Sequence, residues 1–114
     1  MPPRGTLRVI DAAEEFVSIV NNELAVSAKN WPYTDQLRRA AGSVFANLIE
    51  GYGRGQGADR VRLYRIAKAS CEEVLGWLRQ ARDAGVLEER AYFRLYNRAI
   101  VIVRMINQLM RAVA

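Results

Sequence analysis

Ser43, Asn47 and Glu50 follow one another at steps of four and three, so a helix places a hydroxyl, an amide and a carboxylate in one stripe. Arg38 and Arg39 come one turn before this stripe, and Arg54 follows it. It is the one candidate constellation for catalysis in the 114 residues. A structural polar layer explains it better, because the apolar set Leu37, Ala40, Ala41, Val44 and Leu48 runs beside it. Polar groups so close to a core need partners; an unpaired buried one costs about 1–3 kcal/mol. Arg38 or Arg39 of a neighbouring helix or subunit could supply that partner to Glu50. Histidine is absent, which removes Ser-His-Asp and Cys-His arrangements, histidine acid/base work and most transition-metal sites. Glu72 and Glu73, like Glu88 and Glu89, are adjacent pairs whose side chains diverge by about 100° on a helix, so they read as surface charge rather than as metal ligands. The single cysteine, Cys71, excludes an internal disulfide and reads as a small buried hydrophobe. No cofactor and no metal are expected.

The second chemical signal is arginine. The net charge is +5, and 15 of the 17 basic residues are Arg, the side chain suited to forked contact with phosphate or carboxylate. Residues 1–89 hold 12 basic and 12 acidic side chains, whereas residues 90–114 hold five arginines and no acid. Arg90, Arg94, Asn97, Val101, Arg104, Gln108 and Arg111 alternate steps of four and three and form one seam, with Arg98 beside it. Two readings stand: a solvated face paired with Glu72, Glu73 or Asp83, or a surface that tracks phosphates. Arg54, Arg60 and Arg62 form a second patch around the glycine-rich run GYGRGQG, residues 51–57. That run has neither dinucleotide-fingerprint nor P-loop spacing. It reads as a turn with Gly51 or Gly53 as a left-handed cap. The alternative is a phosphate site, since cations at a helix start are unfavourable without an anion there. Tyr52 is the one aromatic expected to be exposed for stacking; Tyr64, Trp77, Tyr92, Phe93 and Tyr96 are expected in core or interface.

The elements that must carry these groups are helical. A first helix over about residues 7–28 has Val9, Ile10, Ala13, Phe16, Val17, Val20 and Leu24 on one face, and Asn30-Trp31-Pro32 ends it. The second runs from an N-cap at Thr34 or Asp35 to about Gly51. The third runs from an Asp59 N-cap to about Ala84, closed by Gly85, with Tyr64, Ala67, Cys71, Val74, Leu75, Leu78 and Ala81 inward. The fourth runs from Glu88 or Glu89 to about Val113, with Tyr92, Leu95, Tyr96, Ala99, Val103, Ile106 and Met110 inward. The run AIVIV within it could be taken for a strand, but helical periodicity on both sides favours helix.

These helices predict an all-α, antiparallel up-down-up-down four-helix bundle in one domain, residues 1–114, with 1–6 as a loose tail. The hydrophobic share, 51%, suffices for a core. Apolar side chains cover nearly every direction of the fourth helix between residues 99 and 106, more than one core consumes, so a homo-oligomer is expected. No membrane span and no leader's apolar segment are visible, so a cytoplasmic location is expected by default.

The second helix resembles the family of bacterial four-helix bundles encoded in 23S rRNA intervening sequences, whose core reads roughly Q-L-R-R-A-A-x-S-I-x-x-N-I-A-E-G-x-G-R. The matching residues are Gln36, Leu37, Arg38, Arg39, Ala40, Ala41, Ser43, Val44, Asn47, Leu48, Ile49, Glu50, Gly51, Gly53 and Arg54. A second block, roughly A-x-G-S-x-x-E-L, is similar to Ala67, Ala69, Ser70, Glu73 and Val74, and Trp31-Pro32 resembles the aromatic-proline pair before the second helix. Ile49 and Ala69 are bulkier than the usual alanine and glycine. The resemblance implies a homopentameric barrel-like ring and a role linked to RNA or ribosomes. A related branch, the accessory proteins of diversity-generating retroelements, implies binding of a reverse transcriptase and nucleic acid.

The expected function is therefore that of a non-enzymatic oligomeric nucleic-acid-binding protein, with RNA favoured. Its contacts would be Arg90, Arg94, Arg98, Arg104 and Arg111, with Arg54, Arg60 and Arg62 as the second patch. The alternative is a scaffold that docks a reverse transcriptase or another acidic partner.

Overall fold

The structure, a computed structural model, describes residues 5–54 and 57–113. Four helices make it up: α1 (Thr6–Ser27), α2 (Thr34–Gly53), α3 (Ala58–Asp83) and α4 (Glu89–Val113). No strand occurs among the described residues, and AIVIV lies within α4. Cross-helix contacts set the directions. Thr34 donates its hydroxyl to Ala28 O at 2.6 Å and Arg38 reaches Asn21, so α2 retraces α1. Ser43 meets Ser70 and Gly51 meets Arg60, so α3 retraces α2. Cys71 lies at Ala99 and Arg82 at Tyr92, so α4 retraces α3. Arg94 and Arg98 then reach Glu23 and Glu15 on α1. Each helix packs on its neighbours in sequence, α4 closes onto α1, and diagonal helices do not approach. The result is an up-down-up-down bundle 43 × 21 × 18 Å across.

The apolar faces meet as their periodicity requires. Val9, Phe16, Val20, Leu24, Leu37, Val44, Leu48, Leu78, Leu95 and Ile106 are all fully buried. On α4 the buried line is Tyr92, Leu95, Ala99, Ile102, Ile106 and Leu109. Ile102 and Leu109 therefore take inward places expected for Val103 and Met110, which are half-buried. The same small rotation consumes part of the apolar excess: Val103, Met105 and Met110 pack against this one core.

Several ends differ from expectation. Thr6 opens α1 and is buried, so it does not belong to a tail; residues 1–4 lie outside the described ones. The N-cap of α2 is Tyr33, and that of α3 is Gly57 at φ 82°, not Asp59. α2 continues to Gly53, and neither Gly51 nor Gly53 is left-handed. Gly55 and Gln56 of the glycine run lie outside the described residues. Gly85, at φ 74°, does close α3: Val86 N–H donates to Ala81 O at 2.9 Å and Gly85 N–H to Arg82 O at 3.0 Å, the paired bonds of a Schellman motif.

Gly51 serves close approach rather than a turn. A Cβ placed there would sit 2.5 Å from Tyr64 Cε1 and 2.9 Å from Cδ1. Gly51→Ala is expected to lower stability in urea unfolding by about 1–3 kcal/mol, the usual cost of overpacking. Gly53→Ala, where a Cβ meets nothing within 4 Å, is expected to be neutral or stabilising.

Candidate nucleic-acid interface

The polar stripe of α2 divides into two parts. Ser43 and Ser70 hydroxyls lie 2.8 Å apart across the α2–α3 crossing. Asn47 donates its amide to Ser43 O at 2.8 Å and to Ser43 Oγ at 3.1 Å. This is a small, satisfied polar layer in a half-buried crossing, as the apolar stripe beside it demands. Glu50 does not join it. Its carboxylate accepts from Arg54 of the same helix at 2.8 Å, and both side chains are about half exposed. That hydrogen bond, and next the charge of Glu50, hold the Arg54 guanidinium above its ordinary pKa. Arg38 turns to Asn21 at 3.2 Å and Asp35 at 3.7 Å, and Arg39 is exposed, so within the chain neither is Glu50's partner.

Arg60 also leaves its expected patch. It is buried, and its Nε donates to Gly51 O at 3.2 Å. A guanidinium in the first turn of α3 is thus spent on the carbonyl end of α2, where a cation is favourable. That removes the reason to require an anion at this turn. Tyr64 lies beside it, fully buried, with no hydrogen-bond partner for its hydroxyl. Burial raises its pKa, and Arg60 opposes that shift. Arg62 is exposed and loosely paired with Asp59 at 3.8 Å.

The arginine seam of α4 is a surface: Arg90, Arg94, Asn97, Arg98, Val101, Arg104, Gln108 and Arg111 are all exposed. Its carboxylate partners come from α1 rather than from α3. Arg94 meets Glu23 at 2.9 Å and Arg98 meets Glu15 at 2.6 Å. The reason is electrostatic: α1 carries Asp11, Glu14, Glu15 and Glu23 against Arg8, while α4 carries five arginines against Glu89. The Arg98–Glu15 pair is exposed on both sides, a kind that contributes about 0–1 kcal/mol, which leaves Arg98 within reach of a competing anion; Glu23 is only 16% exposed and holds Arg94 more firmly. Arg90, Arg104 and Arg111 have no carboxylate within ion-pair distance among the described residues.

Bundle topology places Arg90 and Arg94 at one end and brings the C-terminal half of the α4 seam to the other, the same end as Arg54 and Arg62. The start of α1, the end of α2, the start of α3 and the end of α4 share it. Exposed Arg8, Arg62, Arg65, Arg104 and Arg111 lie there or along its approach, with Asp11, Glu50 and Asp59 as carboxylates. Arg8 shares a depression of about 250 Å³ with Met105, Gln108 and Leu109. The sequence reading missed Glu15, Glu23 and Arg8; the acidic bias of the first helix was the signal that could have found the two glutamates. It also left Ser70 in a weak block with no assigned role.

No three acidic or thiol groups among the described residues converge as they would around a metal ion. Cys71 is fully buried and its thiol donates to Ala99 O at 3.4 Å. No described helix is long and apolar enough to cross a membrane.

The helices, the hydroxyl pair at the α2–α3 crossing and the arginine seam together define an all-helical four-helix bundle with one cationic side. The sequence model described as 23S rRNA-intervening sequence protein matches residues 5–108, and the chain belongs to that family. Its fold is similar to the crystal structure of a protein with unknown function from the S23 ribosomal protein family of Bacteroides thetaiotaomicron VPI-5482. The TM-score is 0.86 at 23% identity, with 93% of this chain and 97% of that one covered. No curated protein matches the chain.

Two outcomes test these assignments. Ser43→Ala is expected to destabilise by about 1 kcal/mol, whereas Glu50→Ala should unfold close to wild type in the same urea titration. The Cys71 thiol is pushed up to about 12 from 9.0, first by burial and then by the charge of Glu72. A raised acid pKa means the unfolded chain loses this proton first, so stability is full below pH 9 and falls between about pH 9 and 12. Cys71→Ala should flatten that decline in thermal melts.

Proposed function

We propose that the protein is a non-enzymatic, oligomeric nucleic-acid-binding protein, with RNA favoured, that contacts phosphates through the arginine side of α4. The observation that carries this reading is the exposure of Arg90, Arg104 and Arg111 on one stripe with no carboxylate partner among the described residues. Arg98 joins by exchanging the exposed Glu15 for phosphate, and Arg94 joins less readily, because Glu23 is largely buried. Arg62 adds to the shared end of the bundle, and Arg54 can leave Glu50; Arg60 does not take part, being buried. Membership of the 23S rRNA-intervening sequence family supports RNA over DNA. The absence of histidine supports a role without chemistry.

The same proposal includes a homo-oligomer, with a five-membered ring as the favoured form. Val101 and Phe93 are each 50% exposed beside the arginines, and a ring would cover such apolar area while joining the cationic stripes into a belt. These two residues also favour the second reading, a scaffold docking a reverse transcriptase or another acidic partner, as the retroelement accessory proteins do. Capture of the polymerase that survives nuclease treatment would select that reading. A strict monomer in sedimentation at micromolar concentration would remove the ring.

Binding of a labelled RNA should weaken with salt at a log–log slope near −0.7 per neutralised phosphate. The triple substitution Arg90→Gln, Arg104→Gln, Arg111→Gln is expected to make that slope shallower by about 2 and to leave the melting temperature near wild type. Equal slopes for the two proteins, or no binding at 50 mM salt, would defeat the reading.

A further inference from the structure

Three aromatic rings meet at the opposite end of the bundle, where α1 passes to α2 and α3 to α4. Tyr33 stacks on Trp77, centroids 5.1 Å apart and planes 23° from parallel. Trp31 stands nearly perpendicular to both, at 5.7 Å and 6.3 Å. Trp31 and Trp77 also pack against the core, whereas Tyr33 remains 44% exposed. The arrangement is fixed from below. The Trp77 indole donates to Glu73 at 3.1 Å, and the Thr34 hydroxyl bonds to Ala28 O and Trp31 O, which holds the turn that carries Tyr33.

Sealing this end of the core requires Trp31 and Trp77; it does not require a phenol ring held out on top of them. An aromatic column with an outward ring is extended by one more planar ring, and a base offers that face. Cations stand beside it. A depression of about 370 Å³ next to Trp31 and Pro32 is lined by Lys29 and Arg38, with Asp35 the one carboxylate. Lys29 is exposed and has no carboxylate partner among the described residues. A planar ring linked to a phosphate satisfies both features; a proline-rich peptide satisfies only the aromatic one.

We propose that Tyr33, backed by Trp77, seats an unpaired base, with Lys29 and Arg38 on the flanking phosphates. This rests on the nucleic-acid reading above and adds to it a preference for single strands, because bases within a duplex present no free face. The seat lies away from the end that gathers Arg8, Arg62, Arg65 and Arg111, so one strand contacting both would run along the bundle.

The test uses the full-length protein and three labelled probes: a 12-nucleotide oligouridylate, an abasic oligomer of the same phosphate count and a 12-base-pair RNA duplex. Wild type is expected to bind oligouridylate about 10-fold more tightly than the abasic oligomer, with quenching of tryptophan fluorescence. Tyr33→Ala should abolish that preference and leave abasic and duplex affinities unchanged. Tyr33→Phe should keep it, and Tyr33→Leu, which preserves apolar bulk, should lose it even if the alanine variant folds poorly. Equal wild-type affinity for base-bearing and abasic oligomers, or a preference that survives Tyr33→Leu, would overturn the seat alone. Quenching by a proline-rich peptide without quenching by oligouridylate would also overturn it. Failure of all three probes to bind at low salt would instead strike the nucleic-acid reading itself.

Discussion

The close approach of α2 and α3 is the constraint from which the rest of the bundle follows. Gly51 admits the ring of Tyr64, and the buried Arg60 holds the Gly51 carbonyl at 3.2 Å. A few turns away Ser43 and Ser70 share a hydroxyl bond at 2.8 Å. Small residues line the crossing, so backbones come near and dispersion contacts accumulate. A polar group at such a distance must be paired in place, and each is, apart from the Tyr64 hydroxyl. Ser43 and Asn47, two of the three residues of the polar stripe, are thus bonded into this crossing, and Glu50 is not.

With α2 and α3 fixed, the outer pair α1 and α4 meets along a different kind of seam. Its facing charges are opposite, both of its paired arginines are exposed, and its arginines outnumber the carboxylates that reach them. Water and salt already compete for such pairs, which suits a surface that exchanges internal partners for a ligand's. The division of labour is physical: buried and half-buried bonds between α2 and α3 hold geometry, and the bonds of exposed arginines between α1 and α4 are more open to exchange.

Most of the fold was legible because helical periodicity is strong in all four segments. The α2 apolar line Leu37, Ala40, Ala41, Val44 and Leu48 is buried as its spacing requires, and Gly85 closes α3 as its position suggests. The one-position rotation of α4 was not legible, since Ile102 and Val103 are equally apolar and only packing chooses between them. The exposed face was legible in outline, as every member of the arginine stripe is exposed. Its partners were not, because charge pairing depends on which helix lies alongside, and α1 rather than α3 supplies Glu15 and Glu23. Arg60 misled for a related reason: a helix-start cation looks like an anion site until the neighbouring helix's carbonyl end is seen. The ring stack of Trp31, Tyr33 and Trp77 joins residues more than forty positions apart, a distance that local spacing does not bridge.

Hydrogen exchange with and without saturating single-stranded RNA tests the division between scaffold and surface most directly. Amides of α2 and α3 at the Gly51–Tyr64 crossing should exchange slowest in the free protein, with added RNA slowing exchange in α4 and in the turn at residues 28–35. Fast exchange at that crossing, or RNA protection confined to α2 and α3, would contradict it.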